Sequence, residues 1–305
     1  MSLESKREVV EIAFAVDSNT EECAYVAIHS MLLHSSRPVR IIIMHPAGQD
    51  VACRDWAGKL AGLGHGADLL IASVDVSRFR HCKNLYDSHA GYLKIYAPRF
   101  AKSSKLICSD VDVVFNDDIA ELADLELGGA IIARNGGVPC VSRGEMERQI
   151  LYLCGKKPGD QYYGSGLSVI DVEAYRRLQK EEMAEQVGQS YGYGIKYQEQ
   201  TVWNCIFPEE ESIGIDEKWC QTPPITRSVP VFRKRPGIIH FAGSPKPWDL
   251  FGEFVHPSFF LWMEAADRAG FAGHRWAKYA RHKLWKRAWR IRKQYKQCHW
   301  KIPNL

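Results

Sequence analysis

The sequence lacks the patterns that mark disulfide-rich, zinc-binding and membrane-spanning proteins. Its nine cysteines contain no CxxC pair, and their odd number and irregular spacing argue against a disulfide framework and a zinc site. No apolar run approaches the roughly 18 residues that a transmembrane helix needs. No charged segment followed by an apolar one opens the chain. We therefore expect a cytoplasmic protein that is soluble or at most peripheral to a membrane.

Two common phosphate-binding loops are also missing. The first predicted strand is not followed by GxGxxG, and the chain contains no GxxxxGK(S/T). A dinucleotide-binding fold or a P-loop nucleotide-binding protein would therefore have to hold phosphate without its usual glycine-rich loop.

The composition is that of an ordinary globular protein, with 46% hydrophobic and 25% charged residues among 305. A chain of this length can bury one large core, or one domain with an appendage. The net charge of +4 hides an uneven distribution, since residues 268–305 contain twelve Lys and Arg and no Asp or Glu. The rest of the chain has 28 bases against 36 acids, a net charge of −8. We therefore expect an acidic domain over 8–267 and a basic tail over 268–305.

Strands and helices alternate in the first quarter of the chain. Apolar runs predict strands over 11–16, 39–44 and 68–74, and period-3.6 apolar spacing predicts helices over 20–32 and 51–63. This order is typical of a mostly parallel α/β sheet, in which ligands bind beyond the carboxyl ends of the strands.

The later segments are predicted by the same rules. We expect a short helix over 92–99, a strand over 127–133, a mobile loop or lid over 136–161, a strand within 163–171 and a helix that begins near Tyr197.

The segment 107–115 combines an apolar run with two carboxylates, Asp110 and Asp112. If it is one strand, alternation places both carboxylates on one side and Val111 on the other. Two like charges so close repel each other, and a divalent cation removes that repulsion because such cations prefer carboxylate oxygens. The alternative is a solvated turn, because Asp-x-Asp occurs by chance in many loops.

Two residues further along the chain strengthen the metal hypothesis. His240 ends a predicted strand, and imidazole is a common ligand for manganese or zinc beside carboxylates. Lys246 lies between Pro245 and Pro247, which stiffen its loop. A fixed ammonium and a divalent cation together would neutralise a diphosphate leaving group. The alternatives are a hydrogen-bonded structural histidine and a solvated loop lysine.

Five ordered landmarks resemble glycosyltransferase family 8, the retaining sugar-nucleotide transferases, and in particular the bacterial galactosyl- and glucosyltransferases that extend lipooligosaccharide or lipopolysaccharide cores. The resemblance covers roughly residues 9–260. Its landmarks are Ala15-Val-Asp-Ser-Asn19, Ser109-Asp-Val-Asp112, Tyr163-Gly-Ser-Gly-Leu167, Glu199-Gln-Thr-Val-Trp-Asn204 and His240-Phe-Ala-Gly-Ser-Pro-Lys-Pro-Trp248. The last is specific, whereas Asp-x-Asp alone is weak.

The resemblance implies a GT-A fold, which is a Rossmann-like nucleotide-sugar-binding domain with a mixed, mostly parallel sheet. It implies a UDP-sugar donor, a saccharide or glycolipid acceptor, and Mn²⁺ or Mg²⁺ held by Asp110, Asp112 and His240. The other residues that it assigns to the nucleotide sugar are Ala15, Asp17 and Asn19 for uridine, Lys246 and Gly243 for the diphosphate, and Lys94, Val111, Gly164 and Ser165 around them.

The same resemblance places Gln200 beside the anomeric carbon and Glu199 on the sugar hydroxyls. Three positions depart from the family pattern, and we expect all three to lie in the sugar pocket: Gly164 replaces an Asn, and Glu199 and Thr201 each replace an Asp. Because an amide is a poor nucleophile, we favour front-face attack over double displacement through Glu199, with Gln200, Glu199 and Lys246 as the catalytic residues.

Two other classes of protein remain open. A metal-dependent nucleotidyltransferase also uses paired carboxylates, but normally carries a glycine-rich loop with Lys or Arg near its first strand. A nucleic-acid-binding protein is suggested by the basic tail alone. The remaining 267 residues, at a net charge of −8, would repel a phosphate backbone.

The tail itself has a helical pattern. Within 277–302, apolar residues recur at spacings of three and four, bordered by Trp285 and Trp289, and the other faces are basic. This pattern is typical of an amphipathic helix in an anionic membrane interface, where each base contributes about 1 kcal/mol. The alternative is a helix packed on the catalytic domain with a solvated basic face. We expect a peripheral protein on the inner face of the cytoplasmic membrane.

Overall fold

Aliphatic runs build the centre of a seven-stranded sheet. The structure, a computed structural model, describes residues 8–49, 51–85, 88–223, 236–244, 246–249, 256 and 258–271. In these residues the strands are β1 (Val10–Ala15), β2 (Val39–Pro46), β3 (Ala67–Val74), β4 (Lys105–Ser109), β5 (Val113–Phe115), β6 (Ile132–Asn135), β7 (Gly137–Pro139), β8 (Gln161–Tyr163), β9 (Leu167–Asp171), β10 (Ser212–Ile215) and β11 (Ile238–His240).

The large sheet has the order β10-β6-β9-β4-β1-β2-β3. Its strands pair in parallel except β9, which runs antiparallel to both β4 and β6. Two small antiparallel pairs, β11-β5 and β7-β8, stand beside it. The predicted α/β fold with a mixed, mostly parallel sheet is therefore confirmed.

The helices cover both faces of this sheet. In the described part of the chain they are α1 (Glu21–His34), α2 (Trp56–Leu60), α3 (Ala120–Ala123), α4 (Glu145–Leu153), α5 (Val172–Arg177), α6 (Lys180–Tyr191), α7 (Gln198–Ile206) and α8 (Phe259–Arg268), with 3₁₀ turns at Ala52–Asp55, Ser77–Phe79, Cys140–Ser142 and Glu209–Glu211 and a longer 3₁₀ segment at Ala90–Phe100.

Alternation along β1 divides the core into two layers. Ile12 and Phe14 point into a cluster with α1, whereas Ala13 points into a cluster with the 3₁₀ segment 90–100 and α7. A central strand buried on both faces reads as a continuous apolar run, which is why β1 was recognisable in the sequence.

Three predicted segments differ from the structure. The predicted loop over 136–161 contains β7, α4 and the start of β8, so the prediction of an irregular loop is wrong, while its mobility stays a prediction. The predicted strand over 127–133 begins only at Ile132, after a turn with left-handed glycines at 128 and 129. The predicted helix over 51–63 is a 3₁₀ turn followed by the short α2.

A fourth difference concerns the predicted strand over 107–115. It is interrupted between β4 and β5 at Asp110-Val111-Asp112, where the chain bends. β4 stays in the large sheet, while β5 leaves it to pair with β11. The tertiary pairing of β5, which no local pattern encodes, is the physical reason for the break.

Candidate active site

The candidate site lies at the carboxyl ends of two neighbouring parallel strands, β1 and β4. The turn at Asp17 follows β1, the carboxylate pair Asp110 and Asp112 follows β4, and β1 and β4 are adjacent in the sheet. Both sets of side chains line one cavity of about 300 Å³. The two turns therefore share one crevice, which follows from the geometry of parallel sheets.

The bend between β4 and β5 brings the two aspartates to His240. In the β5–β11 pair, His240 stands opposite Val113, the residue after Asp112. The Phe241 amide donates to the Asp112 carbonyl at 2.9 Å, which extends this pairing by one bond. The carboxylates therefore converge because of a bend and a strand pair rather than the strand alternation that we predicted.

The three predicted metal ligands lie close together. His240 Nε2 is 3.4 Å from Asp110 Oδ2 and 3.2 Å from Asp112 Oδ1. One ligand atom from each residue can be chosen so that all three lie within 4.8 Å of one another. Two carboxylates and an imidazole are an oxygen and nitrogen donor set that suits Mn²⁺ or another divalent cation, so the residues fit such an ion.

The negative charge of Asp110 is balanced by a buried lysine, Lys94. The ammonium of Lys94 contacts Asp110 Oδ1, and it donates to Glu199 Oε1 and to the Ser165 carbonyl, both at 2.9 Å. Burial alone would lower the pKa of Lys94, but attraction to Asp110 and Glu199 outweighs burial and raises the pKa. This ammonium is therefore charged and joins Asp110 to the residue predicted to bind the sugar.

Glu199 is a buried carboxylate that is held by Lys94 and by a second donor. Its Oε1 also accepts from Ser165 Oγ at 2.9 Å, and the residue is only 5% exposed. Burial raises the pKa of Glu199, and Lys94 and Ser165 offset only part of that rise. The carboxylate is thus restrained in direction by a lysine and a serine.

Asp112 is neutralised from the other side. The Lys246 ammonium contacts Asp112 Oδ2 and donates to the Phe241 carbonyl at 2.6 Å. Burial would raise the pKa of Asp112, but Lys246 and then His240 hold the pKa well below its usual range. The Lys246 backbone amide donates to Asp249 Oδ2 at 2.8 Å, which helps to shape the loop.

The turn after β1 is closed by its own side chains. Asp17 Oδ1 accepts from the Asn19 amide at 2.9 Å and from Thr20 Oγ1 at 3.0 Å. Thr20 Oγ1 also accepts from the Asp17 amide at 3.0 Å. Asp17 is 3% exposed, whereas Asn19 is exposed, so the turn presents a fixed edge to the cavity.

The start of α7 forms the opposite wall. Gln198 has a φ of 46°, a left-handed conformation that is uncommon for a residue with a side chain. Its amide nitrogen donates to the Ser88 carbonyl at 2.6 Å, which ties α7 to the segment before the 3₁₀ helix. Tyr197, Gln198, Glu199 and Gln200 all line the cavity. The sequence pattern included Glu199 and Gln200 but missed Tyr197 and Gln198.

Asn204 explains how the segment around Gly164 is held. Its Oδ1 accepts from the Tyr163 amide at 2.9 Å and its Nδ2 donates to the Tyr163 carbonyl at 2.8 Å. A Cβ at Gly164 would lie 2.5 Å from Asn135 Nδ2, so the asparagine side chain occupies the space that a larger residue would need. Any larger residue at position 164 would have to displace the Asn135 side chain.

Thr201 does not lie in the sugar pocket where we expected it. Thr201 is fully buried, donates to Glu147 Oε1 at 2.6 Å and lies 3.2 Å from the Tyr162 hydroxyl. It points into the contact between α7 and α4, so its predicted place in the sugar pocket is wrong. The reason is helical geometry, since Thr201 stands two residues after Glu199, about 200° around the axis of α7, and so points away from the carboxylate that lines the cavity.

The structure brings together most of the predicted site. The predicted site residues line the cavity with four exceptions, which are Gly164, Thr201, Gly243 and His240. His240 stands behind the two aspartates, and Gly243 is an exposed glycine with φ of 86° in the loop before Lys246. Trp248 also lines the cavity, and although it ends the landmark 240–248 it was not among the predicted site residues.

Similar solved structures share this fold. The galactosyltransferase LgtC, solved in complex with donor and acceptor sugar analogues, superposes with a TM-score of 0.69 at 22% identity, over 85% of this chain and 95% of that chain. The glycosyltransferase GlyE of Streptococcus pneumoniae gives a TM-score of 0.62 at 16% identity, over 90% of this chain and 64% of that chain. The fold is therefore that of the GT-A glycosyltransferases.

The family is shown by the sequence itself. The model of glycosyl transferase family 8 matches residues 11–251. The chain is also 24% identical over 265 residues to lipopolysaccharide 1,2-glucosyltransferase of Escherichia coli, covering 82% of this chain and 75% of that protein. The chain belongs to glycosyl transferase family 8, as the sequence landmarks indicated.

Among the described residues, no helix has both the length and the apolarity to cross a bilayer. The predicted amphipathic segment over 277–302 lies outside the described residues, so its helical structure stays a prediction.

Proposed function

We propose that this chain is a metal-dependent retaining hexosyltransferase that moves galactose or glucose from a UDP-sugar to a saccharide acceptor. The observation that carries the proposal is the convergence of Asp110, Asp112 and His240 at a cavity that Lys246 also lines. The ion-paired group of Asp110, Asp112, Glu199, Lys94 and Lys246 has a formal charge of −1, and a divalent cation would raise the charge of this group to +1, while Asp17 and Asp249 lie elsewhere on the cavity wall. Such a balance favours a diphosphate ligand.

The residues of the chain take separate roles in donor binding. The closed turn at Asp17 and Asn19, with Ala15, holds the uridine. Lys246 and the Gly243 backbone hold the diphosphate, and Glu199 holds the sugar hydroxyls. A bound cation would neutralise the negative charge that develops on the departing diphosphate.

Attack on the face that UDP leaves fits the surroundings of Glu199. The C1–phosphate oxygen bond breaks, the acceptor oxygen bonds to C1 on the same face, and its proton passes to the departing phosphate oxygen. A nucleophilic carboxylate must be able to approach C1, whereas Glu199 Oε1 is engaged by Lys94 and Ser165. We therefore assign Glu199 to positioning, and Gln200 to the space beside C1.

The acceptor is proposed from a relative. The Escherichia coli protein is named for lipopolysaccharide, and the exposed edge of the cavity must admit a second sugar. We propose a core saccharide of lipopolysaccharide or lipooligosaccharide as the acceptor class. The donor hexose is chosen by the wall formed by Glu199, Gln200 and the segment at Ser165.

Release of UDP tests the reaction class. A glycosyltransferase supplied with Mn²⁺ and UDP-galactose or UDP-glucose, but no acceptor, should release UDP slowly, and a nucleotidyltransferase should not. A thermal-shift series with UDP, UDP-galactose, UDP-glucose and UDP-GlcNAc then ranks the donors, because a ligand that binds the native state raises its apparent stability. The absence of both UDP release and any stabilisation by UDP with Mn²⁺ would contradict the proposal.

The division of the chain at 267/268 is part of the same proposal. The last described helix, α8, ends at Arg268, and Phe271 packs on the ring of Tyr25 with centroids 5.5 Å apart. We propose that the basic residues beyond this point bind an anionic membrane surface. Truncation after Phe271 keeps that aromatic contact. It should abolish salt-sensitive cosedimentation with anionic vesicles while transfer to a soluble acceptor survives, and unchanged cosedimentation would contradict the assignment.

A further inference from the structure

His240 has a partner on the side that faces away from the two aspartates. Its Nδ1 lies 3.3 Å from the sulfur of Cys220, while its Nε2 faces both carboxylates. The imidazole is therefore held from opposite sides. Cys220 was not among the predicted site residues, and it lies in none of the five landmarks of the family.

We infer that Cys220 is a positioning residue that orients the imidazole of His240, so that Nε2 offers its lone pair to a cation shared with Asp110 and Asp112. A histidine nitrogen can bind a cation only where it carries no proton, and the hydrogen bond at the other nitrogen decides which one that is. With Nδ1–H donated to Cys220 Sγ, Nε2 is the free nitrogen. The inference rests on the metal site in the proposed function.

The backbone fixes Cys220 in this place. The residue has a φ of 71°, a left-handed conformation that is uncommon outside glycine. The next residue, Gln221, donates its amide to the Ile238 carbonyl and accepts from the His240 amide, both at 2.9 Å. Two hydrogen bonds to β11 therefore hold Cys220 level with His240, and they support a conformation that would otherwise be unfavourable.

The space around the imidazole leaves little room for it to turn. A Cβ at Gly166 would lie 2.6 Å from His240 Cε1 and 3.1 Å from Cys220 Sγ, so glycine is needed for this close approach. Cys220 and His240 are each 9% exposed. The imidazole is thus enclosed by a glycine, a sulfur and two carboxylates, and the sulfur is the polar partner of Nδ1.

Replacing Cys220 with serine and with alanine distinguishes a hydrogen-bonding role of this residue from a packing role. Cys220→Ser keeps a group that can accept from Nδ1, whereas Cys220→Ala keeps neither donor nor acceptor. Either change leaves a residue with one Cβ in the same left-handed position, so backbone strain changes little. Cys140, a fully buried cysteine in another core cluster, supplies the control Cys140→Ala.

The full chain is titrated with Mn²⁺, and the EPR signal of free Mn²⁺ measures how much of the ion is bound. The titration is carried out with and without UDP, and a titration of UDP without protein is the blank. We expect Cys220→Ala to weaken Mn²⁺ binding about 10- to 100-fold, as is usual when the partner of a ligating histidine is removed. Cys220→Ser should bind within about threefold of the wild type, since its hydroxyl replaces the sulfur. Cys140→Ala should bind as the wild type does. Thermal unfolding of each variant reports whether it is folded.

Each other outcome overturns the inference. If the wild type binds Mn²⁺ and Cys220→Ala binds it equally well, the inference is wrong and the metal site stands. Equal losses in the serine and alanine variants, or a matching loss in Cys140→Ala, would show that packing rather than the hydrogen bond supports the site. If the wild type binds no Mn²⁺ even with UDP, the metal site of the proposed function fails together with the inference.

Discussion

Two lysines neutralise the two aspartates of the candidate site, and their surroundings differ. The Lys94 side chain is 2% exposed, and its ammonium contacts three acceptors that include Asp110 and Glu199. The Lys246 side chain is 14% exposed and lies in the loop after β11, beside Asp112. One ammonium is enclosed by the fold, and the other borders the cavity on a loop.

The difference assigns different tasks to two similar ion pairs. Removing one partner of a buried pair leaves an uncompensated charge, which is strongly destabilising. An ammonium on a loop can instead exchange one oxygen partner for another when an anionic ligand arrives. We therefore expect Lys94 to maintain the site and Lys246 to act on the ligand.

The largest effect should come from the aspartate that Lys246 contacts. Asp112→Asn removes one carboxylate ligand and should lower Mn²⁺-dependent transfer to background, while circular dichroism and thermal unfolding show an intact fold. The control Asp124→Asn removes a carboxylate that is paired with Arg37 at the surface and should leave transfer unchanged. Full activity of the wild type in excess EDTA, or substantial activity of Asp112→Asn, would contradict the assignment.

Removal of the enclosed ammonium should damage the fold most. Lys94→Met leaves the buried carboxylate of Glu199, and the half-buried one of Asp110, without their shared cation, and we expect the free energy of unfolding to fall by about 3–5 kcal/mol. The matched variant Lys246→Met should lose less, about 1–2 kcal/mol, because the Lys246 side chain is 14% exposed and that of Lys94 only 2%. Chemical denaturation of both variants measures the difference. Equal losses would remove the distinction between the two lysines.

Removal of the loop ammonium should damage turnover more than binding of the base. Lys246→Ala should lower turnover by roughly two to three orders of magnitude, the scale of losing one preorganised electrostatic partner. Uridine affinity should change little, because the ammonium is assigned to the diphosphate. Steady-state kinetics and calorimetry with uridine and UDP test this directly. A loss of uridine affinity as steep as the loss of turnover would show that the assignment is wrong.

The last effect is confined to acidic pH and concerns the stability contributed by His256, a neighbour of Lys246. Burial, and then the charge of Lys246, lower the pKa of His256 to about 4. The unfolded chain binds this proton near pH 6.5, so stability is full above that pH and falls as pH drops toward 4, by at most about 3 kcal/mol.

His256→Asn should flatten that part of the stability curve, because the variant has no proton to take up in the unfolded state. His256 Nδ1 accepts from the Ser258 amide at 3.1 Å, and asparagine can still accept there. Identical slopes for the variant and the wild type between pH 4 and 6.5 would refute the role of His256.

The sequence predicted those parts of the fold that depend on local pattern. β1 and β2 are long apolar runs, and the carboxylates, His240 and Lys246 lie in ordered motifs. The bend at Asp110-Val111-Asp112 was missed because alternating polarity also fits a strand, and only the pairing of β5 with β11 decides between the two.

Long-range contacts explain the other misses. The segment before β8 reads as a loop from its Gly, Pro and charged residues. Yet α4 is stabilised there by Glu147, which accepts hydrogen bonds from Tyr162 and Thr201 across the core. The left-handed Gln198 and the sulfur of Cys220 have no signature in a single sequence, since their roles come from residues far away in the chain.

The division of labour between the two lysines is tested most directly by anomalous diffraction at the manganese edge from crystals grown with UDP and Mn²⁺. We expect one strong peak bound by Asp110, Asp112 and His240. The Lys246 ammonium should lie on the diphosphate, and Lys94 should remain between Asp110 and Glu199. A peak elsewhere, no peak beside bound UDP, or a Lys246 ammonium still on Asp112 and away from the diphosphate would contradict this account.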